Sequence, residues 1–146
     1  MPPATARTRA TRCALVADIT HQALVISYSS SAAPGARGPY SHGVVAGHPL
    51  FTAGMGPLDP ATGEVIGSTV GDQTAQVIAN LEEILRLRGR SLPDVVKATV
   101  HLADLGTFAE LDAAYRQLMP EPYASRTTVG STLAGILLEI DFVALA

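Results

Sequence analysis

Ala124-Ser125-Arg126-Thr127-Thr128-Val129-Gly130 and Ile136-Leu137-Leu138-Glu139-Ile140-Asp141, joined by Ser131-Thr132-Leu133-Ala134-Gly135, decide how this chain folds. Both runs are β-prone, and each carries a charge that a buried strand ordinarily excludes. In the second run, period-two alternation puts Ile136, Leu138, Ile140 and Phe142 on one face and Leu137, Glu139, Asp141 and Val143 on the other. The first face is wholly apolar and requires a helix layer over it. The second sets Glu139 on a half-buried surface, where an ionised carboxylate costs free energy unless something pairs with it. Arg126, on the run read as its neighbour, offers either a cross-strand ion pair or a clamp for an anion. Alternation alone does not choose between them.

Upstream, the chain supplies the helices that the apolar face needs. Val77, Ile78, Leu81, Ile84 and Leu85 recur at helical spacing within Asp72–Arg88, and Gly89 follows as a stop. A second helix is expected after Thr107-Phe108-Ala109-Glu110, read as a capping box, with Phe108, Leu111, Tyr115 and Leu118 inward and Pro120 beyond its end. Between the helices, Val95–Ala103 is β-rich, with Val96, Ala98, Val100 and Leu102 on one side. Earlier still, Ala23–Tyr28 reads as a strand. Gly38–Val45 and Leu50–Gly54 form a hairpin about Gly47-His48-Pro49, and Asp59–Glu64 is a turn by composition. The order is β-β-β-α-β-α-β-β, an α+β chain with one mixed six-stranded sheet and two helices on one face. The other sheet face is expected to carry Lys97, Thr99, Arg126, Thr128, Glu139 and Asp141. That face is too apolar in between to stand in water, and a cyclic homo-oligomer packing sheet to sheet would cover it.

The 146 residues suffice for one domain, 22–146, preceded by an Ala-, Thr-, Arg- and Pro-rich stretch at 1–21 read as a flexible extension. Arg7, Arg9 and Arg12 against Asp18 leave that stretch at +2; the remaining 7 basic and 12 acidic residues give the body −5, a poor match for nucleic acid. The lone Cys13 excludes an internal disulfide and any multi-cysteine metal site, and it fits a cytoplasmic location. No apolar run approaches the roughly 20 residues of a membrane helix, so no membrane partner is expected. His21, His42, His48 and His101 lack metal-ligand spacing and are read as solvated loop and strand residues. Glu139 and Asp141 share a strand face, yet without a tryptophan platform glycoside chemistry is disfavoured. What remains is an arginine, a carboxylate and glycine-rich backbone. Such a set can bind a small carboxylic acid bidentately and move a proton on it.

Five segments, in order and compatibly spaced from about Ala33 to Leu145, resemble the Rid (YjgF-like) family of reactive-intermediate enamine/imine deaminases. They are Gly38-Pro39-Tyr40-Ser41-His42-Gly43; Phe51-Thr52-Ala53-Gly54 leading to Asp59–Glu64; Val96–Val100; Ser125–Val129; and Leu138-Glu139-Ile140. The resemblance implies a chorismate-mutase-like fold, a homotrimer built round a barrel, and sites between subunits. It also implies hydrolysis of 2-enamino and 2-imino acids to 2-keto acids and ammonia, with no metal or organic cofactor. Carried over, Arg126 would bind the carboxylate, Glu139 would position water and shuttle a proton, and Tyr40 would line the pocket. The amides of Gly54 and Thr128 would contact ligand oxygens. The chain departs from the family pattern at Ala53, Met55, Asp112 and Thr128, where a serine, a glutamine, an asparagine and a cysteine are common. Alternatives are a non-catalytic carboxylate-binding trimer, acting as a sensor or chaperone, and an RNA-cleaving enzyme.

Overall fold

In the computed structural model, residues 25–146 are described; the expected extension over 1–21 and the start of the strand expected at Ala23 lie outside them. The elements are β1 (Val25–Tyr28), β2 (Gly43–Ala46), β3 (Pro49–Thr52), α1 (Val70–Arg86), β4 (Val95–Leu102), α2 (Phe108–Leu118), β5 (Ser125–Gly130) and β6 (Leu138–Leu145). The expected element order and the single six-stranded sheet are both present. Among the described residues no helix is long and apolar enough to cross a membrane.

Strand order is β1-β2-β3-β6-β4-β5. β6 runs antiparallel to both β3 and β4, and β4 pairs in parallel with β5 through the α2 crossover. Composition explains the placement. Leu138, Ile140, Phe142 and Ala144 of β6 are fully buried, so the most apolar strand takes the centre. β5, with Ser125, Arg126, Thr127 and Thr128, takes an edge, where polar side chains cost least. This corrects the expectation that β5 and β6 are neighbours. With β4 between them, a cross-strand pair of Arg126 and Glu139 is impossible.

The helices bury one sheet face. Val77, Leu81, Ile84 and Leu85 of α1 join Leu111 of α2, Val100, Leu102, Leu138 and Ile140 in one core. Each such side chain stabilises the fold by about 1.5–3 kcal/mol when removed from water. α1 starts two residues before the expected Asp72 because Thr69 accepts the Asp72 N–H at 3.1 Å, capping it there. At its other end Gly89 is left-handed (φ 67°) and lets Arg90 N–H reach Leu85 C=O at 3.1 Å.

The capping box expected at Thr107 and Glu110 does not form. Thr107 Oγ1 donates to Asp104 C=O at 2.7 Å, while Glu110 Oε1 accepts from Gly71 N–H at 2.8 Å, linking α2 to the start of α1. Asp104 caps the preceding turn instead, accepting from Gly106 N–H at 2.8 Å. Ser91 and Asp94 form the capping box, ahead of β4. Phe108, expected inward, is 42% exposed.

The open sheet face carries Lys97, Thr99, Glu139 and Asp141 as expected, but not Arg126 or Thr128. Ala98 and Val100, which face the helices, lie beside Arg126 and Thr128 in the parallel register. Both residues are therefore on the helix side. Thr127, which is hydrogen-bonded to Lys97, takes the open side. A strand's side-chain parity is fixed by its pairing, and β5 is too polar throughout to announce it.

Candidate active site

Two cavities of about 250 Å³ each divide the residues singled out from the sequence. This is just below the ~300–1,000 Å³ of ordinary ligand pockets, so each suits a small molecule or part of one.

Glu139 lies in the first, with Arg37, Tyr40, His42, Gly54 and Ile136. The segment after β3 is clamped beside β6 by paired bonds, Met55 N–H to Ile140 C=O (2.8 Å) and Ile140 N–H to Met55 C=O (3.2 Å). That clamp brings Gly54 against the Glu139 carboxylate. A Cβ at position 54 would stand 2.3 Å from Glu139 Oε1, so only glycine leaves the acid where it is. Gly54 N–H donates to no backbone carbonyl among the described residues, leaving a donor beside the acid. The floor is held from α1, where buried Asn80 donates to Gly56 C=O (3.2 Å) and Leu58 C=O (2.9 Å) and accepts from Gln76 Nε2 (3.0 Å). Tyr40 is half exposed, and its hydroxyl accepts the Arg37 N–H at 3.1 Å.

His42 corrects another expectation. It is buried, not solvated, and its Nδ1 accepts the Ser30 N–H at 3.0 Å. That bond places the proton of the neutral ring on Nε2, a buried nitrogen with no partner. The sequence set His42 in the family-like segment Gly38–Gly43 but carried no sign of its burial, which comes with its bond to the Ser30 loop.

Arg126 lies in the second cavity, with Asp112, Tyr115, Arg116, Tyr123 and Ala124. Its guanidinium carbon sits 4.6 Å from the Tyr115 ring centroid and 5.6 Å from that of Phe108, both on α2. Arg126 Nη2 donates to Asp112 Oδ1 at 2.8 Å, and Arg116 Nη2 donates to Asp112 Oδ2 at 2.8 Å. These two bonds, Arg126's first, hold the Asp112 carboxyl below its ordinary range. Burial pushes the Tyr115 phenol up, opposed by the Arg126 charge. Asp112 stood out in the sequence only as a departure from a family pattern; its pairing with Arg126 depends on the register that puts Arg126 on the helix side.

The fold therefore brings Glu139, Tyr40 and Gly54 together and sets Arg126 apart. Thr128 lies two residues beyond Arg126 on the same side, its Oγ1 buried without a partner. Among the described residues no group of three His, Cys, Asp or Glu side chains could hold a metal ion.

Comparison with known proteins accords with this architecture. Residues 30–146 match the family described as endoribonuclease L-PSP (Ribonuc_L-PSP). A RutC family protein of Pyrococcus horikoshii, PH0854, is 40% identical over 114 residues, which is 77% of this chain and 90% of that protein. The human 2-iminobutanoate/2-iminopropanoate deaminase is 33% identical over 119 residues, 80% of this chain and 87% of its own length. The crystal structure of RidA from the Antarctic bacterium Psychrobacter sp. PAMC 21119 superposes with a TM-score of 0.78 at 32% identity, covering 83% of this chain and 99% of that one. Sheet order, helix layer and sequence agree: this chain belongs to the Ribonuc_L-PSP family, whose relatives carry RutC and Rid names.

Proposed function

We propose that the protein hydrolyses reactive 2-enamino and 2-imino acids of the 2-aminoacrylate type to 2-keto acids and ammonia. We place each site between two copies of the chain in a homotrimer. The observation that carries this reading is the split described above. Arg126 and Glu139 stand on opposite faces of one sheet, so for these two residues to serve one small substrate they come from different copies. Deaminase-named relatives at 33–37% identity support the reaction class.

In this mechanism Arg126 of one copy and the Gly54 amide of the next hold the substrate carboxylate. The guanidinium has five N–H donors and spends one on Asp112, so a two-pronged edge remains for the ligand. The enamine tautomerises to the imine. Glu139 takes a proton from a bound water as its oxygen attacks the imine carbon, and the nitrogen gains a proton. Glu139 then takes the hydroxyl proton of the tetrahedral intermediate as a second proton reaches the nitrogen; the C–N bond breaks, releasing ammonia and leaving the keto group. Tyr40 closes the wall beside Glu139. An RNA-cleaving role draws less support, because among the described histidines only His42 lines either cavity and the body carries a charge of −5.

The test is complementation. Arg126→Ala removes a partly desolvated charge pair worth on the order of 2–5 kcal/mol and abolishes keto-acid release from freshly generated 2-aminoacrylate. Glu139→Gln leaves carboxylate affinity intact and abolishes turnover. Mixing the two inactive variants and reassembling them restores about a quarter of the sites, since a quarter draw Arg126 and Glu139 from intact sources. No recovery in reassembled trimers, or wild-type rates for either variant alone, refutes the proposal.

A further inference from the structure

The Glu139 cavity has a cation of its own. Arg37 lines it, in the loop ahead of Tyr40, and is held there at two points. Its backbone N–H donates to Tyr40 Oη at 3.1 Å, and its Nη2 donates to Gly63 C=O at 2.6 Å. Gly63 belongs to the turn that Asp59 fastens by accepting from Ala61 N–H (2.8 Å) and Thr62 N–H (2.9 Å). The guanidinium is thus anchored on a hydrogen-bonded turn at the surface. Neither Arg37 nor Glu139 forms a salt bridge among the described residues. The remaining donors of Arg37 are unspent on any acid.

Building on the deaminase reading, a substrate whose 2-carboxylate is held by Arg126 of the next copy, and whose C2 lies beside Glu139, has its side chain left to place. We infer that Arg37 receives that side chain and selects 2-imino acids that end in a second carboxylate. These are the four- and five-carbon 2-imino diacids formed by oxidation of acidic amino acids. The physical reason is hydrogen-bond geometry. A monoacid leaves the free donors of Arg37 without an acidic partner on the ligand, whereas a diacid gives them the planar, two-oxygen partner that a guanidinium binds best. A cavity of about 250 Å³ has room for the longer chain.

The experiment uses the full chain and compares kcat/KM for 2-imino diacids, generated in place by an amino-acid oxidase, with that for 2-iminobutanoate. Binding of the corresponding 2-keto diacid and 2-ketobutyrate is measured in parallel by calorimetry. The wild type is expected to favour the diacid at least tenfold in both. Arg37→Gln, which keeps a polar side chain but lacks the charge, is expected to reduce that ratio about tenfold, a change of about 1.4 kcal/mol. Arg37→Lys, which keeps the charge but not the planar fork, retains only part of it.

A wild-type ratio near one, or an unchanged ratio in Arg37→Gln, overturns the inference and leaves the deaminase reading standing. Arg37-dependent binding of the keto diacid without turnover of any imine overturns the deaminase reading and supports the anion site. Equal losses on both substrates reduce Arg37 to a strap for the Gly63 turn and likewise overturn the inference.

Discussion

Replacing Gly54 by alanine isolates the placement of Glu139 from its chemistry. The added methyl would lie 2.3 Å from Oε1, 2.8 Å from Cδ and 3.2 Å from Cγ of Glu139. Ordinary contact begins near 3.4 Å, so the oxygen must retreat by about 1.1 Å. The clash is with the far end of a flexible side chain in an open cavity, and the backbone at position 54 does not require positive φ. Stability should therefore change by less than about 1 kcal/mol, since alanine also restricts the unfolded chain. Turnover should not survive so well. A displacement of about 1 Å at a reacting group costs on the order of a hundredfold, or about 2.7 kcal/mol of barrier. The assay is the rate of 2-keto-acid release from in-situ 2-aminoacrylate, with a thermal melt of the same sample as control. A Gly54→Ala protein that melts like the wild type and turns over within about threefold of it refutes the assignment of Glu139 as the group that activates water.

Further outcomes follow from the support around the site. Asn80→Ala removes three hydrogen bonds, leaving Gly56 C=O only the Leu58 N–H and leaving Leu58 C=O and Gln76 only each other, and is expected to destabilise the fold by about 1–3 kcal/mol in a urea titration. Tolerance of that change would mean that the Gly56–Leu58 loop is held by other contacts. Asp59, whose carboxyl is held below its ordinary 3.8 by N–H donation from Thr62 and then Ala61, contributes stability that is fully present above that value. The contribution is lost as pH falls through the lower folded-state pKa. The stability gap between wild type and Asp59→Ala should accordingly be constant at neutral pH and close below pH 3.8; a gap that widens in acid contradicts the sign.

Much of the fold was legible because two elements announce themselves. The alternation of Ile136, Leu138, Ile140 and Phe142 specified a strand under a helix layer, and the spacing of Val77, Ile78, Leu81, Ile84 and Leu85 specified a helix to cover it. Strand order was not legible, since a period-two pattern says which face is buried and nothing about which strands lie alongside. Nor was the side on which Arg126 projects. Ser125-Arg126-Thr127-Thr128 has no apolar alternation to fix its parity, and only the parallel pairing of Ala98 with Arg126 does so. The identities of the candidate site residues were thus readable while their grouping was not. Arg37, the pairing of Asp112 with Arg126 and the burial of His42 came into view only with the packing.

That grouping has an electrostatic consequence. Asp112 shares its two oxygens between Arg126 and Arg116, so the trio carries a net charge of +1 and not zero. A single Arg–Asp pair would present an incoming carboxylate with a neutral surface, and binding would require breaking the pair. Here the second arginine compensates Asp112, and the Arg126 charge stays available while Nη2 is tethered. Tyr115 and Phe108 beneath it hold the guanidinium plane without competing for its N–H groups. An asparagine at position 112 would tether Arg126 through a neutral and weaker hydrogen bond, leave Arg116 unpaired and raise the local charge. The aspartate therefore trades some attraction for a fixed guanidinium orientation, a sensible exchange where catalysis depends on where the ligand is held more than on how tightly.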